Sequence, residues 1–403
     1  MAGSFKKTRL IATCFSMHNA IKSLSKTTKQ ALSRRYRSKN LNQPNHSPYT
    51  EAKTLNRTTA LKQAAAKQGK PANFVIFNQT NLTYFTNFAA AAALYIPEQG
   101  VASLYVSTVN YEQAKAEAKG VNVELIKRGE NLMEKIALQN PKKLGVDTLS
   151  IESWRTLAKA VGGEEKLEAV NSLVRELRSV KDLEEIKLIR EACRIAGIGM
   201  QAAKEIIGVG LKEKDAAAEI EYAMRKANSD GNAFDTIVAS GPTSAFPHGS
   251  NLDRTIREGD FVVVDLGATY KFYRSDTSRT FIASKATEKQ ARIYDAVKLA
   301  YEKAFEKIKP KVAACEVDGT ARYVIEEAGF GEFFVHNLGH GVGLEVHEAP
   351  ILSPDSKDIL AAGNVVTDEP GIYMPGLGGV RIEDTILVTK NGAENLTIGP
   401  CMP

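Results

Sequence analysis

Short apolar runs alternate with helix-length mixed stretches from residue 56 to about residue 162. The pattern predicts a helix over 58–68, a strand at NFVIF (73–77), a strand at ASLYV (102–106) and a helix at YEQAKAEAK (111–119). VELI (123–126) and KLGV (143–146) read as further strands, with helices near 132–139 and 150–161. The Ala-rich run 88–96 reads as a buried helix or a buried strand. Strands separated by helices of this length predict an α/β domain. It contains no histidine and no cluster of catalytic groups, so it is expected to be a scaffold or a lid.

The pattern then changes. Leu183, Ile186, Ile189, Cys193 and Ala196 recur at helical spacing and form one apolar stripe. Asp182 with Glu185 three residues on predicts a capping box at its start. A second helix over 214–227 ends at the turn signal NSDG. FVVVDLG (261–267) and TSRTFIA (277–283) are strand-like, helices follow at 289–307 and 317–328, and VVTDEPGIYM and GGVRIEDTILV close the chain as strands. Helix pairs alternating with antiparallel strands predict an α+β domain in two halves of similar build. The expected organisation is a basic extension over 1–55, an N-terminal α/β domain over 56–175 and a larger domain over 176–403.

Composition changes the picture in one place. The net charge of +6 is carried by residues 1–50, which hold ten Lys or Arg and no Asp or Glu, leaving the remainder at −4. A nucleic-acid partner needs a basic face on the folded body, and composition supplies none. The extension is basic and rich in Ser and Thr, as in an organellar transit peptide. The plainer readings are a disordered tail or an upstream stretch before a start at Met17; a cytoplasmic protein is expected unless the extension targets an organelle. No apolar run approaches the roughly 18–20 residues of a membrane span. Cys14, Cys193, Cys315 and Cys401 are scattered and fit neither a disulfide framework nor a zinc-finger spacing.

Candidate chemistry gathers in the second domain. Beyond His18 and His46 of the extension, the histidines are His248, His336, His340 and His347, three of them within HNLGHGVGLEVH. Imidazole is the commonest transition-metal ligand and proton shuttle. Asp265 follows four apolar strand residues, and Asp276 lies on the expected neighbouring strand. An ionised Asp in so apolar a strand is costly unless paired or metal-bound. Glu369 and Glu383 fall in the closing strands. One histidine, His340, with these four carboxylates suits two divalent ions sharing carboxylates. The set has no thiolate, which argues against a structural zinc site.

FPHGSN, VVVDLGATYKFYRSDTSRTF, LGHGVGLEVHEAP, VVTDEPGIYMPGLGG and VRIEDTILVT, in this order, resemble the pita-bread metallopeptidases. The similarity extends to the Xaa-Pro dipeptidase (prolidase) and Xaa-Pro aminopeptidase branch and runs from about residue 57 to the C-terminus. It implies a pita-bread catalytic domain behind a smaller creatinase-type α/β domain. By position it implies Asp265 as terminal ligand of one ion, Asp276 and Glu383 as bridges, and His340 and Glu369 as ligands of the second. The ions would be Mn²⁺ first, with Co²⁺, Fe²⁺ or Zn²⁺ as alternatives. His248 and His347 would bind the scissile amide and its tetrahedral intermediate, and His336 would be the extra histidine of the proline-specific branch. Glu369 would shuttle the proton. Arg381 would act near the metals or hold a carboxylate ligand by a salt bridge. A hydroxide shared by the ions would attack the carbonyl before proline, in a peptide with proline second. The resemblance also suggests a homodimer. Asp368 departs from the family's usual apolar or Asn residue, and strand alternation is expected to turn it outward. A methionine aminopeptidase shares the ligands but usually lacks the N-terminal domain and a His336 equivalent. Non-catalytic pita-bread modules typically lose the ligands.

Overall fold

A computed structural model describes residues 57–249 and 253–397; the basic extension lies outside the described residues. The first part runs α1 (Arg57–Lys67), β1 (Asn73–Ile76), α2 (Gln79–Thr86), β2 (Ala93–Ile96), β3 (Ser103–Ser107), α3 (Tyr111–Glu117), β4 (Asn122–Ile126), α4 (Leu132–Ala137), β5 (Leu144–Val146), α5 (Ile151–Val161), β6 (Leu167–Ala169) and α6 (Asn171–Ser179). Its strands form a six-stranded sheet in the order β4-β3-β2-β1-β5-β6. β2 is antiparallel to β1 and β3, and the other pairs are parallel. The run 88–96 therefore resolves into a strand, buried along its whole length. α2 is not predicted by pattern, because QTNLTYFT is poor in helix formers. Packing overrides propensity there: the Asn78 side chain caps the first turn, and six of the eight residues are buried.

The second part begins with α7 (Leu183–Ile206), which carries the predicted capping box of Asp182 and Glu185, and α8 (Glu213–Lys226). Strands β7 (Gly231–Asn232), β8 (Ile237–Ser240), β9 (Phe261–Leu266), β10 (Ala268–Tyr270), β11 (Tyr273–Arg274) and β12 (Thr277–Ile282) follow. Helices α9 (Glu288–Lys307) and α10 (Ala314–Glu327) repeat the scheme. The chain then forms β13 (Gly339–Gly341), β14 (Glu348–Leu352), β15 (Val365–Asp368), β16 (Gly371–Met374), β17 (Gly378–Arg381), β18 (Asp384–Val388) and β19 (Ala393–Asn395). The first half pairs β12-β9-β8, the second β14-β13-β15-β18-β19, and β16 pairs with β17.

Each helix pair covers one half. Ile195, Met200, Ile220 and Met224 of α7 and α8 pack on Val262, Val264 and Leu266 of β9. Ile293, Val297, Val317 and Ile325 of α9 and α10 pack on Val366, Ile386 and Val388. Alternation along β9 turns Asp265 to the face opposite Val264 and Leu266. A third core joins the two parts, since Val342, Leu344, Val365 and Leu387 cluster with Phe74, Leu82 and Val174. Among the described residues no helix is long and apolar enough to cross a membrane, and Cys193 and Cys315 are free thiols.

Candidate metal centre and active cleft

The closing strands are interrupted where chemistry is expected. β15 ends at Asp368 and β16 begins at Gly371, so Glu369 sits in the break. β17 ends at Arg381 and β18 begins at Asp384, so Glu383 sits in the second break. Both breaks are points where the chain passes from one sheet to another. His340 lies on β13 at a register shift between His340 and Gly341. Its flanking glycines are required by close packing: a Cβ on Gly339 or Gly341 would run into the Thr367 or Ala349 carbonyl. Asp276 immediately precedes β12, and Ser278 faces Asp265 across the β9–β12 pair.

These elements bring the five expected ligands together in one cleft of about 520 Å³, along with His248, His336, His347 and Arg381. Ligand atoms of Asp276, His340 and Glu383 all lie within 4.8 Å of one another. His340 Nε2 is 3.2 Å from Glu369 Oε1 and 3.7 Å from Asp276 Oδ2. Its Nδ1 lies 3.1 Å from the Gly341 carbonyl, which fixes Nδ1 as the protonated nitrogen and turns Nε2 toward the carboxylates.

The carboxylates are oriented by neighbours. Arg381 donates from one terminal nitrogen to Asp265 Oδ2 at 2.6 Å and from Nε to Ser278 Oγ at 2.8 Å. Ser278 Oγ–H donates to Glu383 Oε2 at 2.6 Å. Thr367 Oγ1 donates to Glu369 Oε1 at 3.1 Å and accepts from the His340 N–H at 3.0 Å. Of the two readings of Arg381, the contact present is the one that holds a carboxylate.

The electrostatics fit a cation site. Burial, then the repulsion of Asp265, pushes the Asp276 carboxyl well above its usual range. Burial, then Asp276, Glu369 and Asp265, does the same to Glu383. Burial alone would raise Glu369 and lower His340, but their mutual hydrogen bond outweighs it, lowering Glu369 and raising His340 to about 9. Asp265 Oδ1 and Glu383 Oε1 are buried with no hydrogen-bond partner. Buried carboxylate oxygens left unpaired among like charges are costly unless a cation is bound nearby. Hard oxygen donors with one imidazole suit divalent ions.

His248 and His347 are exposed at the cleft, and the His347 ring centroid is 4.3 Å from that of His340. His336 Nε2 lies 2.9 Å from the Tyr373 hydroxyl and Nδ1 lies 2.7 Å from the Asn337 carbonyl. Burial pushes the His336 imidazole below its usual pKa. Tyr373 was not singled out by the sequence, yet its hydroxyl also accepts from Arg381 at 2.8 Å. Ser278 and Thr367 were also missed. Each is two residues from a ligand on a strand, so alternation places it on the ligand's face.

The expectation for Asp368 is overturned. Asp368 is fully buried, not outward, and neither carboxylate oxygen has a partner. Alternation does separate it from Glu369, but the opposite face of β15 is covered rather than wet. Burial, then Asp384 and Glu369, raises its pKa well above the usual carboxylate range.

A two-part α/β and pita-bread architecture with a buried carboxylate–imidazole cluster is that of a metallohydrolase. Residues 187–390 match metallopeptidase family M24, and residues 57–180 match the creatinase/prolidase N-terminal domain. The chain belongs to metallopeptidase family M24. It is 44% identical over 324 residues to a Xaa-Pro dipeptidase of Pyrococcus horikoshii, covering 80% of this chain and 92% of that protein. The prolidase structure from the same organism superposes with a TM-score of 0.80 at 40% identity, covering 85% of this chain and 98% of that one. An X-Pro aminopeptidase from Thermotoga maritima superposes with a TM-score of 0.78 at 33% identity, covering 85% and 98%.

Proposed function

We propose that the chain is a metal-dependent exopeptidase that hydrolyses the bond before proline, in Xaa-Pro dipeptides or at peptide N-termini with proline second. The observation that carries this reading is the buried cluster of Asp276, His340 and Glu383, flanked by Asp265 and Glu369. In this reading Asp265, Asp276, Glu383, His340 and Glu369 would together hold two divalent ions. Mn²⁺ is our first choice, ahead of Co²⁺, Fe²⁺ and Zn²⁺. Bound there, such ions supply Lewis acidity and lower the pKa of water from about 15.7 to roughly 7.

The chain's own residues do the rest. Glu369 accepts the proton of the attacking water on its carboxylate and delivers it to the proline nitrogen, which leaves poorly until protonated. His248 and His347 donate N–H to the oxygen of the scissile carbonyl as negative charge develops on it. Arg381 and Ser278 hold Asp265 and Glu383 in place. His336 is kept in one orientation by Tyr373. Ile351, Val346 and Phe234 give the cleft an apolar wall suited to a proline ring.

We also retain the division into an N-terminal domain over 56–175 and a catalytic domain over 176–403, which is supported by the separate matches at 57–180 and 187–390. A homodimer acting in the cytoplasm completes the reading. Sedimentation tests the dimer. A fusion of the basic extension to a fluorescent protein tests whether that segment instead directs the chain to an organelle.

The deciding experiment strips the protein with a chelator, restores single metals, and assays Gly-Pro and a longer Xaa-Pro peptide. Activity should vanish on stripping and return best with Mn²⁺ or Co²⁺. Full activity in the metal-free protein would overturn the reading.

A further inference from the structure

The catalytic cleft adjoins two further cavities. One, of about 220 Å³, shares His347 with the cleft and lies between α2, α6 and the start of β14. The other, of about 600 Å³, shares Ile351 with the cleft and runs between α6 and the loop after β14. Arg175, on the outer side of α6, lines both. It is exposed, and its side chain has no ion pair or hydrogen bond to any described residue.

In the smaller cavity the other charges are matched, whereas the larger one also presents Glu176 and Lys357, whose side chains pair with no described residue. Arg178 donates to Asn81, Glu345 and Glu348 at 2.8, 2.6 and 2.5 Å. Lys181 takes the other Glu348 oxygen at 3.1 Å. In the wall of the smaller cavity, Arg175 is therefore the surplus cation. The side-chain amide of Asn171, in that same wall, also has no hydrogen-bond partner among the described residues. The smaller cavity alone exceeds the roughly 150 Å³ that holds a benzene ring, so it admits a residue-sized group.

The cleft itself offers a substrate carboxylate little. Among the described residues lining it, Arg381 is the only Lys or Arg. Its guanidinium is committed to Asp265, Ser278, Tyr373 and the Pro247 carbonyl. In a Xaa-Pro dipeptide the free carboxylate is on the proline, inside this wall. In a longer peptide it lies about 3.3–3.6 Å further out for each added residue. The two cavities adjoining the cleft, at His347 and at Ile351, are both lined by Arg175.

We propose that Arg175 is the receptor for the C-terminal carboxylate of Xaa-Pro peptides longer than two residues, with the Asn171 amide as a second donor. This rests on the proline-directed exopeptidase reading above. It extends the substrate range beyond dipeptides to short peptides with a free C-terminus.

The test compares metal-reconstituted wild type and Arg175→Gln on three substrates: a Xaa-Pro dipeptide, a Xaa-Pro-Xaa tripeptide acid and the same tripeptide as its C-terminal amide. In the wild type, kcat/KM for the tripeptide acid should exceed that for the amide. In R175Q this acid-to-amide ratio should fall about tenfold, the scale of one charge-assisted hydrogen bond, through KM rather than kcat. An unchanged ratio, an equal loss on acid and amide, or an effect confined to the dipeptide would each overturn the proposal while leaving the exopeptidase reading standing. Failure of wild type on all three substrates would overturn that reading and this subsite with it.

Discussion

At the scale of single residues, the site separates groups that touch substrate from groups that aim them. His347 stands beside His340, and its ring makes no hydrogen bond to any described residue. His347→Ala should therefore leave metal content intact and lower kcat by about 10²-fold or more, the usual cost of losing a catalytic proton or hydrogen-bond donor; metal analysis beside steady-state kinetics checks this. Arg381 behaves differently, because it grips Asp265 directly and reaches Glu383 through Ser278. Arg381→Ala should weaken metal affinity by about 10–100-fold, read by titration of the stripped protein. Asp368 is a third kind. Its buried carboxyl has no partner, and its pKa is raised, so it disfavours folding increasingly as pH rises above the ordinary carboxylate range. Asp368→Asn should remove this fall in stability with rising pH; a denaturant midpoint that depends on pH as in the wild type would contradict this.

At the scale of elements, the same strands that carry the ligands explain what the sequence could and could not disclose. Asp265 was legible only as one of a set, because an acid after four apolar strand residues could equally be a solvated face or a salt bridge. Asp276, His340, Glu369 and Glu383 were legible as ligand types and by resemblance, and they meet in one cleft. The two breaks that carry Glu369 and Glu383 were not legible, because VVTDEPGIYM and GGVRIEDTILV read as unbroken strands until sheet pairing divides them. Asp368 misled for a related reason. Alternation states which residues share a face but not which face is wet, and here both faces of β15 are covered. Helix α2 escaped because its helicity comes from packing and from the Asn78 cap rather than from its composition. The α7 start was legible because its signal is local: Asp182 accepts from the N–H groups of Glu184 and Glu185, and Glu185 accepts from that of Asp182. Asp182→Ala removes the two bonds its carboxylate accepts and the Arg57 contact at 2.8 Å. It should cost about 1 kcal/mol by loss of the cap, seen as a lower denaturant midpoint with little change in kcat.

At the scale of the whole molecule, the two parts are joined by charge as well as by their shared apolar core. Arg178 and Lys181, which follow the first sheet, close on Glu348 at the start of β14, and all three are buried. Glu348 is the neighbour of His347, so this clamp also sets where the catalytic edge of β14 lies. Burial alone would raise the Glu348 carboxyl, but Lys181 and Arg178 outweigh it and hold it below its usual range. The sign of the linkage follows. A carboxyl depressed in the folded state contributes stability that is fully present above its unfolded value, about 4.3, and that is lost as pH falls through the lower folded value. The protein should therefore lose stability on acidification below about pH 4.5. Glu348→Gln should remove this share of the acid dependence. It should also cost about 3–5 kcal/mol at neutral pH, because two buried cations lose their common partner. Denaturant midpoints of wild type and E348Q measured from pH 7 down to pH 3 test both halves. Parallel curves would show that the clamp contributes nothing to the acid dependence, and an unchanged neutral midpoint would show that Glu345 alone satisfies Arg178.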